Sequence, residues 1–62
     1  MTKVQRTIVK AKTEDMRKLA ESSEADPEGA HSEADELLCE TLQALGCVEI
    51  VEQYNKVHKW YA

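Results

Sequence analysis

A chain of 62 residues can enclose a small hydrophobic core at most. Folding of so short a chain removes about 60% of the surface that the unfolded form exposes, so such domains usually need disulfides, a metal or a partner subunit. Cys39 and Cys47 are expected to be free thiols, because no apolar signal segment opens the chain and nothing indicates an oxidising compartment. Association is the remaining means of stabilisation, so we expect a homodimer or a larger assembly.

Charge is distributed unevenly along the chain. The net charge is −4, yet residues 1–12 contain four basic side chains and no acid, whereas residues 13–40 contain ten acids and two bases. A basic arm followed by an acidic body predicts contact with an anionic partner, or contact between the arm and the body of the same or a neighbouring chain. Since no stretch is apolar enough to span a bilayer, we expect a cytoplasmic protein.

The pattern of the chain predicts a single, mainly α domain. The predicted segments over residues 1–62 are a basic strand or extended arm (1–12), a helix (13–22), a loop (23–31) and two further helices (32–45 and 47–61). The N-terminal arm is rich in β-branched side chains, which favours a strand, with helix as the alternative. A continuous helix from Val4 would place Asp15 within its apolar stripe, which favours the strand.

Local signals set the boundaries of these segments. Thr13 precedes two acids, which is typical of a hydroxyl cap followed by the positive first turn of a helix. Pro27 and Gly29 are interpreted as the breakers of the loop. Ser32 is the predicted cap of the next helix, which Gly46 ends. The tight junction at Gly46 predicts that the last two helices form a hairpin.

Apolar side chains recur at helical spacing in both later helices. In the first of them they are Ala34, Leu37, Leu38, Thr41, Leu42 and Leu45. In the second they are Ile50, Val51, Tyr54, Val57 and Tyr61. A strand at residues 1–12 would have no pairing partner in this chain, so it would pair with its copy in a dimer or with another protein.

One strip of side chains has the chemistry of a metal site. His31, Asp35 and Cys39 follow at intervals of four residues, and imidazole, carboxylate and thiolate all bind zinc. A structural role is the preferred interpretation, because His31 lies just before the predicted cap and Cys39 can pack as a small apolar side chain. We therefore expect neither a metal nor another cofactor.

An acidic helix face raises the possibility of an enzyme. Glu33, Glu36 and Glu40 resemble the acids that hold magnesium in nucleotide pyrophosphohydrolases of the MazG type, which would imply a metal-dependent hydrolase. Those enzymes need an adjacent Glu-Glu pair, which this chain lacks. The chain also has no glycine-rich phosphate loop and no defensible catalytic triad, so we expect a protein that is not an enzyme.

Two binding hypotheses follow from the remaining residues. Tyr54, Trp60 and Tyr61 are candidate contacts with a protein partner, because Trp and Tyr are enriched in interfaces. Arg6 and Lys10 would extend that surface with positive charge. Alternatively, a basic strand followed by helices resembles the ribbon-helix-helix repressors, which implies a dimeric DNA-binding regulator. The acidic body and the long predicted loop argue against that alternative.

The second half of the chain resembles short bacterial and phage proteins. The residues that carry this resemblance are Asp26-Pro27-Glu28, His31, Ala34-Asp35, Leu37-Leu38, Leu45-Gly46 and Lys59-Trp60-Tyr61-Ala62. The resemblance implies a bacterial or phage origin and no particular activity. Taken together, the sequence predicts a homodimeric, non-enzymatic accessory or regulatory module that binds another protein.

Overall fold

The computed structural model describes residues 1–57, which form three α-helices. Helix α1 spans Lys3–Ser22, α2 spans Pro27–Ala44 and α3 spans Val48–Lys56. The predicted mainly helical class is confirmed. The predicted N-terminal strand is wrong, because the described residues contain helices and no strand.

The N-terminal segment is helical because its first turn is capped on both sides. Thr2 Oγ1 accepts a hydrogen bond from the Gln5 backbone N–H at 3.1 Å, and Gln5 Oε1 accepts one from the Thr2 N–H at 2.8 Å. This reciprocal capping box satisfies donors that a helix start otherwise leaves without partners. The half-buried residues along α1 recur at helical spacing: Gln5, Ile8, Val9, Lys12, Met16 and Leu19.

Helix α1 passes through the position where a separate helix was predicted to begin. The Thr13 hydroxyl donates to the Val9 carbonyl oxygen at 2.7 Å, which is the bond of a threonine inside a helix rather than of a cap. Asp15 is exposed and lies off the half-buried stripe, so it does not interrupt the packing of a continuous helix. The predicted boundary between an arm at 1–12 and a helix at 13–22 is therefore wrong.

Helix α2 begins earlier than predicted. Asp26 is its N-cap, and the carboxylate oxygen Oδ1 accepts a hydrogen bond from the Gly29 N–H at 3.1 Å. Pro27 occupies the first turn, where its missing N–H costs nothing, and Glu28 lies near the positive helix end. The residues interpreted as loop breakers are thus helix-start residues, and Ser32 lies inside α2 rather than at its cap.

Gly46 terminates α2 as the sequence predicts. The Gly46 N–H donates to the Gln43 carbonyl at 3.0 Å, and the Cys47 N–H donates to the Leu42 carbonyl at 2.8 Å. These two bonds form a Schellman motif, which requires a left-handed residue just past the helix. Gly46 supplies it with a φ of 87°. Helix α3 then begins directly after Cys47.

The three helices lie side by side with α2 in the middle. Helix α2 contacts both neighbours, whereas α1 and α3 do not touch each other within residues 1–57. The contact predicted between the last two helices is present, and the hairpin is confirmed to that extent. The Cα atoms extend over 38 × 28 × 9 Å. Since a helix with side chains is about 10–12 Å across, the fold is a layer one helix thick.

A layer this thin encloses very little core. Val51, at 1% exposure, is the one fully buried side chain in the described part of the chain. Leu38 and Ile50, which the sequence assigns to apolar faces, are 56% and 61% exposed. Domains normally bury their apolar side chains between two packed layers. Residues 1–57 supply one such layer and no second one.

Candidate partner-binding surface

A continuous apolar surface lies on one side of the layer, with Leu38 at its centre. One open groove runs between α1 and α2 and another between α2 and α3, and Leu38 lines both. We call this surface the apolar face and define it by Val9, Met16, Ala20, Leu38, Leu42 and Ile50. Single exposed apolar side chains are common on proteins, but a contiguous patch with polar edges marks an interaction surface.

The opposite side of the layer is polar. Glu36 and Glu40 lie about 160° around α2 from Leu38, given 100° per residue. They line a groove between α2 and α3 together with Asp35 and Gln43. The two sides of the layer therefore differ sharply in chemistry. The apolar face is the side whose exposure to water is unfavourable.

The layer has a basic end and an acidic end. An ion pair of 3.3 Å between Lys12 Nζ and Glu40 Oε2 joins α1 and α2 far from the short turn at residues 23–26, so the two helices run antiparallel. The basic end consists of Lys3, Arg6, Lys10 and Lys12. The acidic end, around the turn, consists of Glu21, Glu24, Asp26 and Glu28.

Arg6 and Lys10, predicted as partner contacts, are exposed at the basic end. Arg6 precedes Thr13 by seven residues, which is two helical turns, and Lys10 precedes Arg17 by the same interval. Thr13 and Arg17 line the groove between α1 and α2. Residues two turns apart share one side of a helix, so Arg6 and Lys10 lie at the rim of the apolar face.

Arg17 is held at the groove edge by two acids of its own helix. Its Nε donates to Glu14 Oε2 at 3.0 Å, and its two terminal nitrogens contact the other oxygen of Glu14 and a carboxylate oxygen of Glu21. The hydrogen bond from Arg17 lowers the pKa of Glu14, and the same bond raises the pKa of Arg17. These side chains are exposed, so the pairs fix the position of the guanidinium more than they stabilise the fold.

Tyr54, the third predicted contact, is half-buried against α2. Desolvation is the main cause that raises the pKa of Tyr54, and the hydrogen bond to Asp35 and electrostatic interactions with Asp35 and Cys39 raise it further. Its ring also lines the groove between α2 and α3. Tyr54 therefore docks α3 onto α2 and forms one edge of the apolar face. Trp60 and Tyr61, the other predicted contacts, lie outside the described residues.

The strip of possible zinc ligands does not form a metal centre. His31 Nδ1 lies 3.8 Å from Asp35 Oδ2, and Asp35 also accepts a hydrogen bond from Tyr54. Among the described residues, no group of three His, Cys, Asp or Glu side chains is arranged to hold a metal ion. Cys39 is a half-buried free thiol, and Cys47 is an exposed one.

The ribbon-helix-helix hypothesis loses its structural basis. That fold places a strand in the major groove of DNA, and residues 3–22 of this chain are helical. Arg6 and Lys10 therefore belong to the first helix and not to a ribbon. What remains of the hypothesis is the basic charge of this segment.

No protein-family model, curated protein or solved structure matches the chain. Within residues 1–57, none of the helices combines the length and the apolar character needed to cross a membrane. Over the described part of the chain, fold and surface together define a single helical layer with an exposed apolar face. Its function has to be inferred from that face.

Proposed function

We propose that this protein is a small, non-enzymatic, cytoplasmic interaction module that forms a homodimer and binds another protein. The observation that supports the proposal best is the uncovered apolar face on a layer one helix thick. Exposure of such a face to water is unfavourable, and association with another chain would bury it.

The energy available from covering this face is large for so small a chain. Complete burial of a leucine or isoleucine side chain contributes about 1.5–3 kcal/mol. Leu38 and Ile50 are 56% and 61% exposed, so each still has about 1 kcal/mol to gain from burial. A core in a chain of this size contributes about 3–5 kcal/mol in all. Association is therefore comparable in size to the stability of the isolated chain.

The proposed contact with another protein uses the edges of the layer. Arg6 and Lys10 are exposed at the basic end and suit an acidic partner surface. Tyr54 contributes an aromatic edge, and Trp60 and Tyr61 are proposed as further contacts with the partner. A bacterial or phage accessory protein that regulates a larger factor by binding would use a surface of this kind.

Affinity capture from the source cell, followed by mass spectrometry, tests the contact with another protein. We expect the wild type to retain a specific protein and the variant Trp60→Ala with Tyr61→Ala to lose it, while circular dichroism stays the same. The matched control is Val4→Ala, which removes a 69% exposed apolar side chain outside the proposed contact and should leave capture unchanged. Equal capture by all three proteins would remove the assignment.

A further inference from the structure

We infer that the apolar face is covered by a second copy of this chain, packed face to face and antiparallel, so that the basic end of each protomer covers the acidic end of the other. This inference rests on the proposed homodimer. It adds the surface that the two copies share and the direction in which they lie.

The size of the layer suits a second copy. A face of 38 × 28 Å offers roughly 1,000 Å², and a stable interface buries about 800 Å² on each partner. An identical layer has the same outline, so it covers most of the face without an overhang. Stacking two layers also produces the two-layer architecture in which domains normally enclose a core.

The shape of the apolar face is self-complementary. Leu38 forms a ridge on the middle helix, with one groove on each side. A two-fold interface brings the same patch of both copies together, so the Leu38 side chains of the two copies meet each other and the apolar surfaces beside them face one another. Leu38, Leu42 and Ile50 then become interior side chains.

Charge decides between the two possible directions. If the two-fold axis runs along α2, the protomers are parallel and like-charged ends lie against each other. If the axis crosses α2, the protomers are antiparallel and opposite ends meet. Lys12 is already paired with Glu40 and Glu21 with Arg17, which leaves Lys3, Arg6 and Lys10 to face Glu24, Asp26 and Glu28. Like charges disfavour the parallel arrangement, and opposite charges favour the antiparallel one.

Cysteine cross-linking tests which face is shared. The background replaces Cys39 with Ala and Cys47 with Ser, and one cysteine is then introduced as Leu38→Cys or as Val4→Cys. Val4 is 69% exposed. It precedes Thr13, which lines the groove between α1 and α2, by nine residues, or two and a half helical turns, so Val4 lies on the opposite side of the layer. We expect mild oxidation to link Leu38→Cys chains into disulfide dimers and to leave Val4→Cys chains unlinked.

Distances between spin labels test the direction. In the same cysteine-free background, labels at Thr7→Cys mark the basic end and labels at Glu24→Cys mark the acidic end. The antiparallel dimer predicts that, in mixed dimers, Thr7 of one chain and Glu24 of the other lie closer together than the same two positions lie within one chain, because opposite ends of the two layers meet. The parallel dimer predicts the reverse.

Dissociation constants from analytical ultracentrifugation complete the test. Leu38→Glu should raise the constant about a hundredfold or more, because it brings two carboxylates into the apolar interface. At low salt, Lys10→Glu should raise it about fivefold to tenfold. The matched change Lys18→Glu, at an exposed lysine nine residues after Val9 and therefore on the opposite side of α1, should have little effect. Circular dichroism reports whether each variant is helical.

The outcomes separate this inference from the proposed function. A monomeric wild type at micromolar concentration would overturn both the homodimer and its geometry. A dimer that cross-links through Val4→Cys, or in which Thr7 of one chain lies far from Glu24 of the other, would overturn the antiparallel apolar interface and leave the homodimer standing.

Discussion

Replacement of Gly46 by alanine should destabilise the protein through the backbone alone. Gly46 has a φ of 87°, and a methyl group added there would meet no other atom within 4 Å. The cost is therefore the strain of a left-handed L-residue, about 1 kcal/mol. The entropy of unfolding is about 2.1 cal/mol/K per residue. For a chain of 62 residues, dividing the loss of about 1 kcal/mol by this entropy gives a Tm lower by about 8 °C. Thermal unfolding followed by circular dichroism at fixed protein concentration measures it.

Two controls isolate the conformational cause. Chemical synthesis with D-alanine at position 46 adds the same methyl group but prefers positive φ, so it should raise stability by about 0.4–1 kcal/mol. At Gly29, an added methyl group would collide with the Asp26 carboxylate that caps α2. Gly29→Ala should therefore lose a cap and gain helix propensity, each about 1 kcal/mol, with little net change. Equal effects of L- and D-alanine at Gly46 would refute the reasoning.

Three further predictions concern the caps and one tyrosine. Thr2→Val should lower the free energy of unfolding by about 1 kcal/mol and Thr2→Ser by much less, because only valine lacks the hydroxyl that accepts a hydrogen bond from the Gln5 N–H. Equal losses of the two variants in chemical denaturation would contradict the capping box. Asp26→Ala should lower the free energy of unfolding by about 1 kcal/mol and Asp26→Asn by little, because the amide oxygen of asparagine still accepts a hydrogen bond from the Gly29 N–H. A large loss of stability in the Asn variant would show that the charge of Asp26 matters more than its hydrogen bond. Folding raises the pKa of Tyr54, so the folded state holds this proton more tightly than the unfolded state. Stability should therefore fall as pH rises above about 10, and Tyr54→Phe should reduce this dependence. Urea titrations across that pH range would test it.

The N-terminal strand was predicted from β-branched side chains, and this preference proved too weak. Val4, Ile8 and Val9 fit a strand locally, but propensity depends strongly on context and yields to packing. A signal for the helix was present in the sequence: Thr2 and Gln5 have the spacing of a capping box. The half-buried stripe from Gln5 to Leu19 shows why the helix wins, since it lies along α2 only when the backbone is helical.

The start of α2 was missed for a related reason. Pro27 and Gly29 break a helix in its interior, but proline is favoured in the first turn, and Asp26 provides the cap. The same residue types therefore have opposite meanings at different positions. A glycine that follows an apolar helical stripe, by contrast, consistently indicates a helix end, and the prediction that Gly46 ends α2 is confirmed.

The candidate surface was only partly accessible from sequence. The apolar periodicity around Leu38 is plain in the sequence, but periodicity alone did not show which other residues join Leu38 in one open surface. Arg6 and Lys10 were identified by charge alone, without their place at the rim of the apolar face. Tyr54 was identified only as an aromatic contact, and the structure also shows a hydrogen bond between Tyr54 and Asp35.

The sequence by itself determined the helical class, the end of α2 at Gly46 and the segregation of charge along the chain, because these depend on residues close together in the chain. Tertiary structure decided that the helices form a layer one helix thick and that α1 lies antiparallel to α2. It thereby decided that the apolar stripe around Leu38 is an open surface. Periodicity shows which side chains share a helix face, but what that face meets depends on the other helices, and in this fold α1 and α3 flank α2 without covering it.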